Sequence, residues 1–392
     1  MPPHFVFDAH VDSIQRSLDL GHDLAVAGPG HLDLERGRAG GLGAVVLAAW
    51  CQPSFIEDGD PGALAAPGPG FEHRGGAFER TRALVEAGLE LAARRPDRAA
   101  LCLSAEHLAA AREAGRTALI LGIEGGHSIE SSLDKLVWFH AAGVRLMTLV
   151  WNNHLPWIRS CQAVPAGLGF EPPAGLSEFG RAIVACMNEL GMLVDVSHSG
   201  DRSFDDVLAN SRAPVLASHS GCRALSEHPR NLTDAQLKRL ADAGGVVGIV
   251  FHGGFLDDAA RQEDQRIYAS PAYRAVQVAN PTAHWMAQSA YHQAHAKPMD
   301  LGRVADHVLH AVDRAGFEHV GLGSDFDGIP RTPRGLESAA DYPNLAAALA
   351  QRGLSARAID AVMGENLARL FGEVMRAPAP CEISRTGGQS GP

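Results

Sequence analysis

Eight short runs rich in aliphatic and β-branched residues recur along the chain, and most are near-continuous apolar stretches instead of clean alternations. They are FVFDAHVD (5–12), LGAVVLAAW (42–50), TALILGIEG (117–125), VRLMTLVWN (144–152), MLVDVSHSG (192–200), PVLASHS (214–220), GVVGIVFHG (245–253) and HVGLGSDFDG (319–328). Runs of this kind describe strands buried on both faces, the condition of a parallel sheet covered by helices. Helical periodicities lie between them: FERTRALVEAGLELAARR, LSEFGRAIVACMNELG, LTDAQLKRLADAGG and LGRVADHVLHAVDRAG. The last three each stop at a glycine, a frequent helix terminator. Eight strands alternating with helices predict an α/β fold, a (β/α)₈ TIM barrel. A doubly wound open sheet is the alternative, but it calls for a glycine-rich dinucleotide fingerprint after an early strand, and the sequence has none.

A chain of 392 residues accommodates such a barrel as one domain, here expected over 1–376. With 46% hydrophobic and 20% charged residues, it has the composition of a globular protein with a sizeable core. Residues 53–70 are rich in Pro and Gly and predict a surface loop near the rim. Residues 255–298, carrying Tyr268, Tyr273, Trp285 and Tyr291, predict an insertion that serves as a lid or a partner surface. The tail 377–392 has a disordered composition.

Composition also excludes partners. The formal charge of −11, with no cluster of Lys or Arg, argues against nucleic acid. The longest apolar runs, such as GGVVGIVF at 244–251, fall well short of the roughly 20 residues that cross a bilayer, so no membrane partner is expected. Six scattered cysteines without a CxxC pair predict reduced thiols. If His10 and Asp12 belong to the folded core, no room precedes them for a secretory leader, and a cytoplasmic protein is expected. Dimers are common among such barrels, so a homodimer to which the aromatic insertion contributes is kept open.

The polar residues concentrate where a barrel does its chemistry, at the carboxyl ends of the strands. The first run ends HVD, the third EGGH, the fifth DVSHSG, the sixth SHS and the eighth SDFDG. A lone histidine at a strand end is usually a packed structural residue. Buried charge at five strand ends, however, destabilises a fold unless a cation compensates it. His10 and Asp12 are two apart on one strand, so their side chains share a side. With Glu124, His198, His219 and Asp325 they offer imidazole-plus-carboxylate ligation for Zn²⁺ or a similar divalent ion. Asp8 and Asp195 are candidates for acceptors that orient the ligating histidines.

In this order and at these separations, DAHVD, GIEGG, DVSHSG, ASHSG, HPRNLTD and GLGSDFDG resemble the motifs of the membrane (renal) dipeptidase family. This is zinc peptidase family M19 of the metal-dependent amidohydrolase superfamily. The resemblance runs from about residue 5 to the PNLAAAL and MGENLARLF segments. It implies a (β/α)₈ barrel of the metal-dependent hydrolase type that binds two Zn²⁺ ions and hydrolyses a dipeptide with a hydroxide between them. Carried onto this sequence, it gives His10 and Asp12 to one ion, His198 and His219 to the other, and Glu124 to both. Asp325 resembles the acid beside the bridging water. Arg230, followed by Asn231, resembles the cation that takes the substrate carboxylate.

One position departs from the family. Its fourth strand ends with a histidine that helps to hold substrate and oxyanion, in a stretch like LTH followed by PW. Here MTLVWNNHLPW places Trp151 there. An indole offers one N–H and no titratable group, which leaves Asn152 and His154 as candidate substitutes, and losing one oxyanion donor typically costs on the order of 10²–10³ in rate. The departure therefore supports a second reading, a binuclear metal amidohydrolase of the same fold acting on another amide or a lactam.

Overall fold

The computed structural model describes residues 4–52, 76–166 and 168–375. The loop expected at 53–70 and the tail 377–392 lie outside these residues. Nine parallel strands occur among the described residues: β1 (Val6–Val11), β2 (Leu42–Trp50), β3 (Ala99–Leu101), β4 (Thr117–Glu124), β5 (Val144–Thr148), β6 (Leu193–Asp195), β7 (Leu216–Ser220), β8 (Val246–Ile249) and β9 (Val320–Leu322). Each pairs with its neighbours in the order β2-β1-β9-β8-β7-β6-β5-β4-β3, and an additional β2–β4 pairing closes eight of them into a barrel surrounded by helices. The ninth, β3, is a three-residue strand that pairs only with the start of β4, Ala99 opposite Thr117, and it is too brief to register as an apolar run.

Alternate positions along the strands divide the core. Phe7, Ala9, Ala44, Val46, Ala118 and Ile120 belong to one buried apolar cluster, which the helix Asn366–Val374 joins through Leu367, Leu370 and Phe371. The intervening residues, among them Val45, Leu119 and Leu121, pack in a larger cluster with the surrounding helices. The Phe7 and Phe371 rings lie 4.9 Å apart, so the helix seals the end where β1 begins.

Local signals set the helix limits. Ser177 caps the helix Glu178–Leu190, which stops at Gly191 in a left-handed conformation. Thr233 and Gln236 form a reciprocal capping box on Asp234–Asp242, and Gly316 (φ 86°) ends Leu301–Ala315. Residues 255–298 fold mainly as helices, Asp258–Ala269, Pro271–Arg274 and Pro281–His295, and the start of the last lines the cavity at the carboxyl end of the barrel. Among the described residues, no helix is long and apolar enough to cross a membrane, and Cys51, Cys102, Cys161, Cys186 and Cys222 are free thiols.

Candidate metal centre

Several strands end sooner than their apolar runs imply: His10, Glu124 and His219 lie within strands, whereas Asp12, His198 and Asp325 occupy the turns beyond them. Ladder hydrogen bonding ceases at the barrel rim, leaving the backbone free to aim side chains inward. His198 (φ 67°) and Asp325 (φ 61°), each three residues past a strand end, adopt left-handed backbone, a costly state for a non-glycine residue that persists only where its surroundings enforce it. Two buried carboxylates do so. Asp195 accepts hydrogen bonds from the N–H groups of Ser197 (3.0 Å) and Ser218 (2.9 Å) and from the hydroxyls of Ser218 and Thr148. Asp8 accepts from the N–H groups of His10 and Ser324 and from the Tyr342 hydroxyl. Asp195 thus fastens the loop that carries His198, and Asp8 the loop that carries Asp325.

The residues expected at the centre converge. His198 Nε2 lies 3.0 Å from Glu124 Oε1 and 3.0 Å from His219 Nε2. His10 Nε2 is 3.5 Å from Glu124 Oε2 and 3.6 Å from Asp12 Oδ2. Ligand atoms of His10, Glu124 and His219 lie within 4.8 Å of one another, as do those of His10, Asp12 and Asp325. Asp325 therefore stands among the potential ligands as well as beside them. The ring nitrogens of His198 and His219 that face away from the cluster meet Asn152 Oδ1 (3.0 Å) and the Ser218 hydroxyl (2.7 Å), partners that fix the ring orientations.

Electrostatics shows that this cluster calls for positive charge. Burial alone would lower His10, yet the carboxylates of Glu124 and Asp12 hold it well above the usual imidazole range. Asp325 is pushed well above the carboxylate range by burial and then by Asp12 and Glu124. Burial would likewise raise Glu124, but His10, His198 and His219 hold it well below. His10 is fully buried and neither of its ring nitrogens has a hydrogen-bond partner, a cost that a bound cation removes. Imidazole and carboxylate donors within this reach fit a divalent metal ion.

The cluster forms the floor of a cavity of about 930 Å³. Arg230 reaches it from the loop after β7. This guanidinium is buried, Nη2 donates to the His219 carbonyl (3.1 Å), and Nε and Nη1 have no partner. It lies over the Phe255 ring at 5.2 Å. Trp151 lines the cavity too, its ring 5.1 Å from Trp50 and 6.1 Å from His198.

Two residues expected at the substrate are placed elsewhere. His154 Nδ1 accepts from the Ser160 N–H, and its Nε2 meets the Ala163 carbonyl. Asn231 Nδ2 donates to the carbonyls of Ser226 and Phe255. His154 bonds within its own loop, Asn231 joins its loop to the segment after β8, and neither lines the cavity. Other lining residues went unnoticed in the sequence, notably Trp50, Phe255, the Asp19–Arg80 ion pair and the first turns of Pro281–His295. Trp50 carried a usable signal, since it ends β2 in register with Glu124 at the end of β4.

The model of the membrane dipeptidase family, peptidase family M19, matches residues 1–384. An uncharacterized dipeptidase of Schizosaccharomyces pombe is 36% identical over 269 residues, 67% of this chain and 55% of that protein. The dipeptidase verJ of Clonostachys rogersoniana is 32% identical over 351 residues, 88% of this chain and 76% of that one. This chain thus spans about half the length of the fission-yeast relative. Among solved structures, a metallopeptidase of Rhodobacter sphaeroides, liganded with a phosphinate mimic of the dipeptide L-Ala-D-Ala, superposes with a TM-score of 0.73. It is 27% identical, and the match covers 95% of this chain and 99% of that one.

Proposed function

The chain belongs to the membrane dipeptidase family, peptidase family M19, and from that premise we propose that it is a metallo-dipeptidase cleaving short peptides at a centre of two zinc ions. The observation that carries this reading is the pairing, across one cavity, of a cation-seeking cluster on Glu124 with the Arg230 guanidinium, whose Nε and Nη1 have no hydrogen-bond partner. His10 and Asp12 would hold one ion, His198 and His219 the other, with Glu124 between them. When bound, such a pair supplies hydroxide at neutral pH and polarises the scissile carbonyl. Arg230 presents a planar fork to the substrate's terminal carboxylate. That grip sets the distance from carboxylate to scissile bond and favours dipeptides over longer chains. Asp325, in its carboxylate form, would accept the proton released by the attacking water and pass it to the departing amine. The dipeptide mimic held by the Rhodobacter relative supports a ligand of this size.

Trp151 favours a second reading. An indole in place of the family's histidine points to another amide or a lactam as the preferred substrate of the same centre. The test is a panel of L,L and L,D dipeptides, β-lactams and N-acyl amino acids, assayed with zinc-loaded protein of measured metal content. The proposal expects dipeptides to turn over fastest. Faster cleavage of lactams or N-acyl amino acids selects the second reading, and fewer than one ion per chain after reconstitution removes both.

A further inference from the structure

The charged side chains around the cavity divide into those already paired and those still unsatisfied. Both terminal nitrogens of Arg80 hold Asp19 at 2.6 Å, and Arg16 holds Asp327 at 2.9 Å. These four residues line the cavity yet offer it little net charge. His252, also at the wall, is pushed down to about 3 by burial and stays neutral, while His284 Nδ1 accepts from the Val278 N–H. Beyond the metal cluster, Arg230 is a charged lining residue with two buried nitrogens, Nε and Nη1, that lack a hydrogen-bond partner among the described residues. Much of the remaining wall is apolar, with Trp50, Trp151, Val278, Trp285 and Met286.

Position then assigns the apolar wall to one half of the substrate. Arg230 follows β7 and lies over Phe255, which follows β8. Trp50 ends β2, four strands from β7 in either direction around the eight-strand ring, and lies in register with Glu124. A ligand whose carboxylate meets Arg230 and whose scissile carbonyl lies over Glu124 must extend its acyl half toward Trp50 and Trp151. The cavity's volume of about 930 Å³ approaches the upper end of the roughly 300–1,000 Å³ typical of ligand sites. That is more room than two small residues fill.

We propose that the preferred substrates are dipeptides whose N-terminal residue carries a large, uncharged apolar or aromatic side chain, seated against Trp50 and Trp151. This inference rests on the dipeptidase reading above and names the substrate class within it. The Trp50–Trp151 pair is the specificity element. It rewards apolar area removed from water and gives no counter-ion to a charged side chain.

The test is kcat/KM of the zinc-reconstituted protein on Phe-Ala, Ala-Ala, Glu-Ala and Lys-Ala. Phe-Ala is expected to exceed Ala-Ala by about tenfold or more, with Glu-Ala and Lys-Ala below Phe-Ala by at least as much. Trp50→Ala and Trp151→Ala are each expected to lower the Phe-Ala to Ala-Ala ratio at least about threefold. A ratio under tenfold in the parent protein, a charged substrate cleaved as fast as Phe-Ala, or a ratio unmoved in both variants overturns the inference while the dipeptidase reading stands. If none of the four is hydrolysed, the dipeptidase reading falls and this inference falls with it.

Discussion

The two ends of the barrel are built from the same strands and obey opposite rules. Where the strands begin, Phe7, Val46, Ile120 and Leu370 form an apolar plug that Phe371 completes. Where they end, the same strands deliver Glu124, His10 and Asp195 into a buried polar cluster. The first region lowers the free energy of folding through burial. The second carries a desolvation cost that only cations, or the hydrogen bonds around Asp8 and Asp195, offset. Stability and chemistry are thus assigned to different ends of one scaffold, and substitutions at the two ends should fail in different ways.

The largest expected effect is at the polar end. Glu124→Gln removes the carboxylate that faces all three histidines and is expected to lower metal affinity by more than about 100-fold, with turnover lost in parallel. Metal titration and kinetics check this, and a fully metallated, active variant would break the assignment of Glu124. Next is the plug: Phe371→Ala should destabilise the fold by about 3–5 kcal/mol in denaturant unfolding, while metal affinity per folded molecule stays unchanged. Loss of metal from that folded fraction would show that the two ends are not separable.

Arg230→Ala sharpens the comparison within the polar end. It removes the proposed substrate anchor but none of the proposed metal ligands, so KM should rise by roughly 10- to 100-fold through the loss of charge-assisted hydrogen bonds worth about 1.5–3 kcal/mol. Bound metal should remain. A variant that loses kcat and metal instead would make Arg230 part of the centre's support.

The smallest effect concerns acid. His307 Nδ1 accepts from the Cys222 N–H and its Nε2 meets the Leu256 carbonyl, tying the β7 loop to the start of the insertion. Burial holds His307 down at about 4. The unfolded chain, titrating near 6.5, therefore binds this proton first, and stability is lost as pH falls from about 6.5 toward 4. The loss amounts to about 1.4 kcal/mol by pH 5.5. His307→Gln should flatten that part of the stability profile. An unchanged slope would assign the acid sensitivity to other groups.

Much of this was legible in the sequence because the two rules leave different marks. An apolar run broken by charge at its end locates both a strand and a candidate ligand, and so His10, Glu124, His198, His219 and Asp325 stood out. Trp50 obeys the same positional rule, but an apolar residue at the end of an apolar run looks like core. Asp19 and Arg80 are 61 residues apart and share no local pattern that could announce their pairing. His154 and Asn231 have the right chemistry for substrate, yet loop hydrogen bonds decide where they point, and spacing does not encode those. The brief β3 escaped because three residues cannot establish a period.

The helix Pro281–His295 is tethered to the barrel near its start. Asn280 donates to the Asp19 carbonyl, Thr282 to the Asp19 carboxylate and Trp285 to the Asp327 carbonyl. Any swing of that helix away from the rim would give up all three bonds, at about 1 kcal/mol each, a cost that on its own would hold an open form to roughly one molecule in a hundred. If the proposed cleavage takes place beneath it, release of the two products would be timed partly by this latch, through residues that never touch the scissile bond.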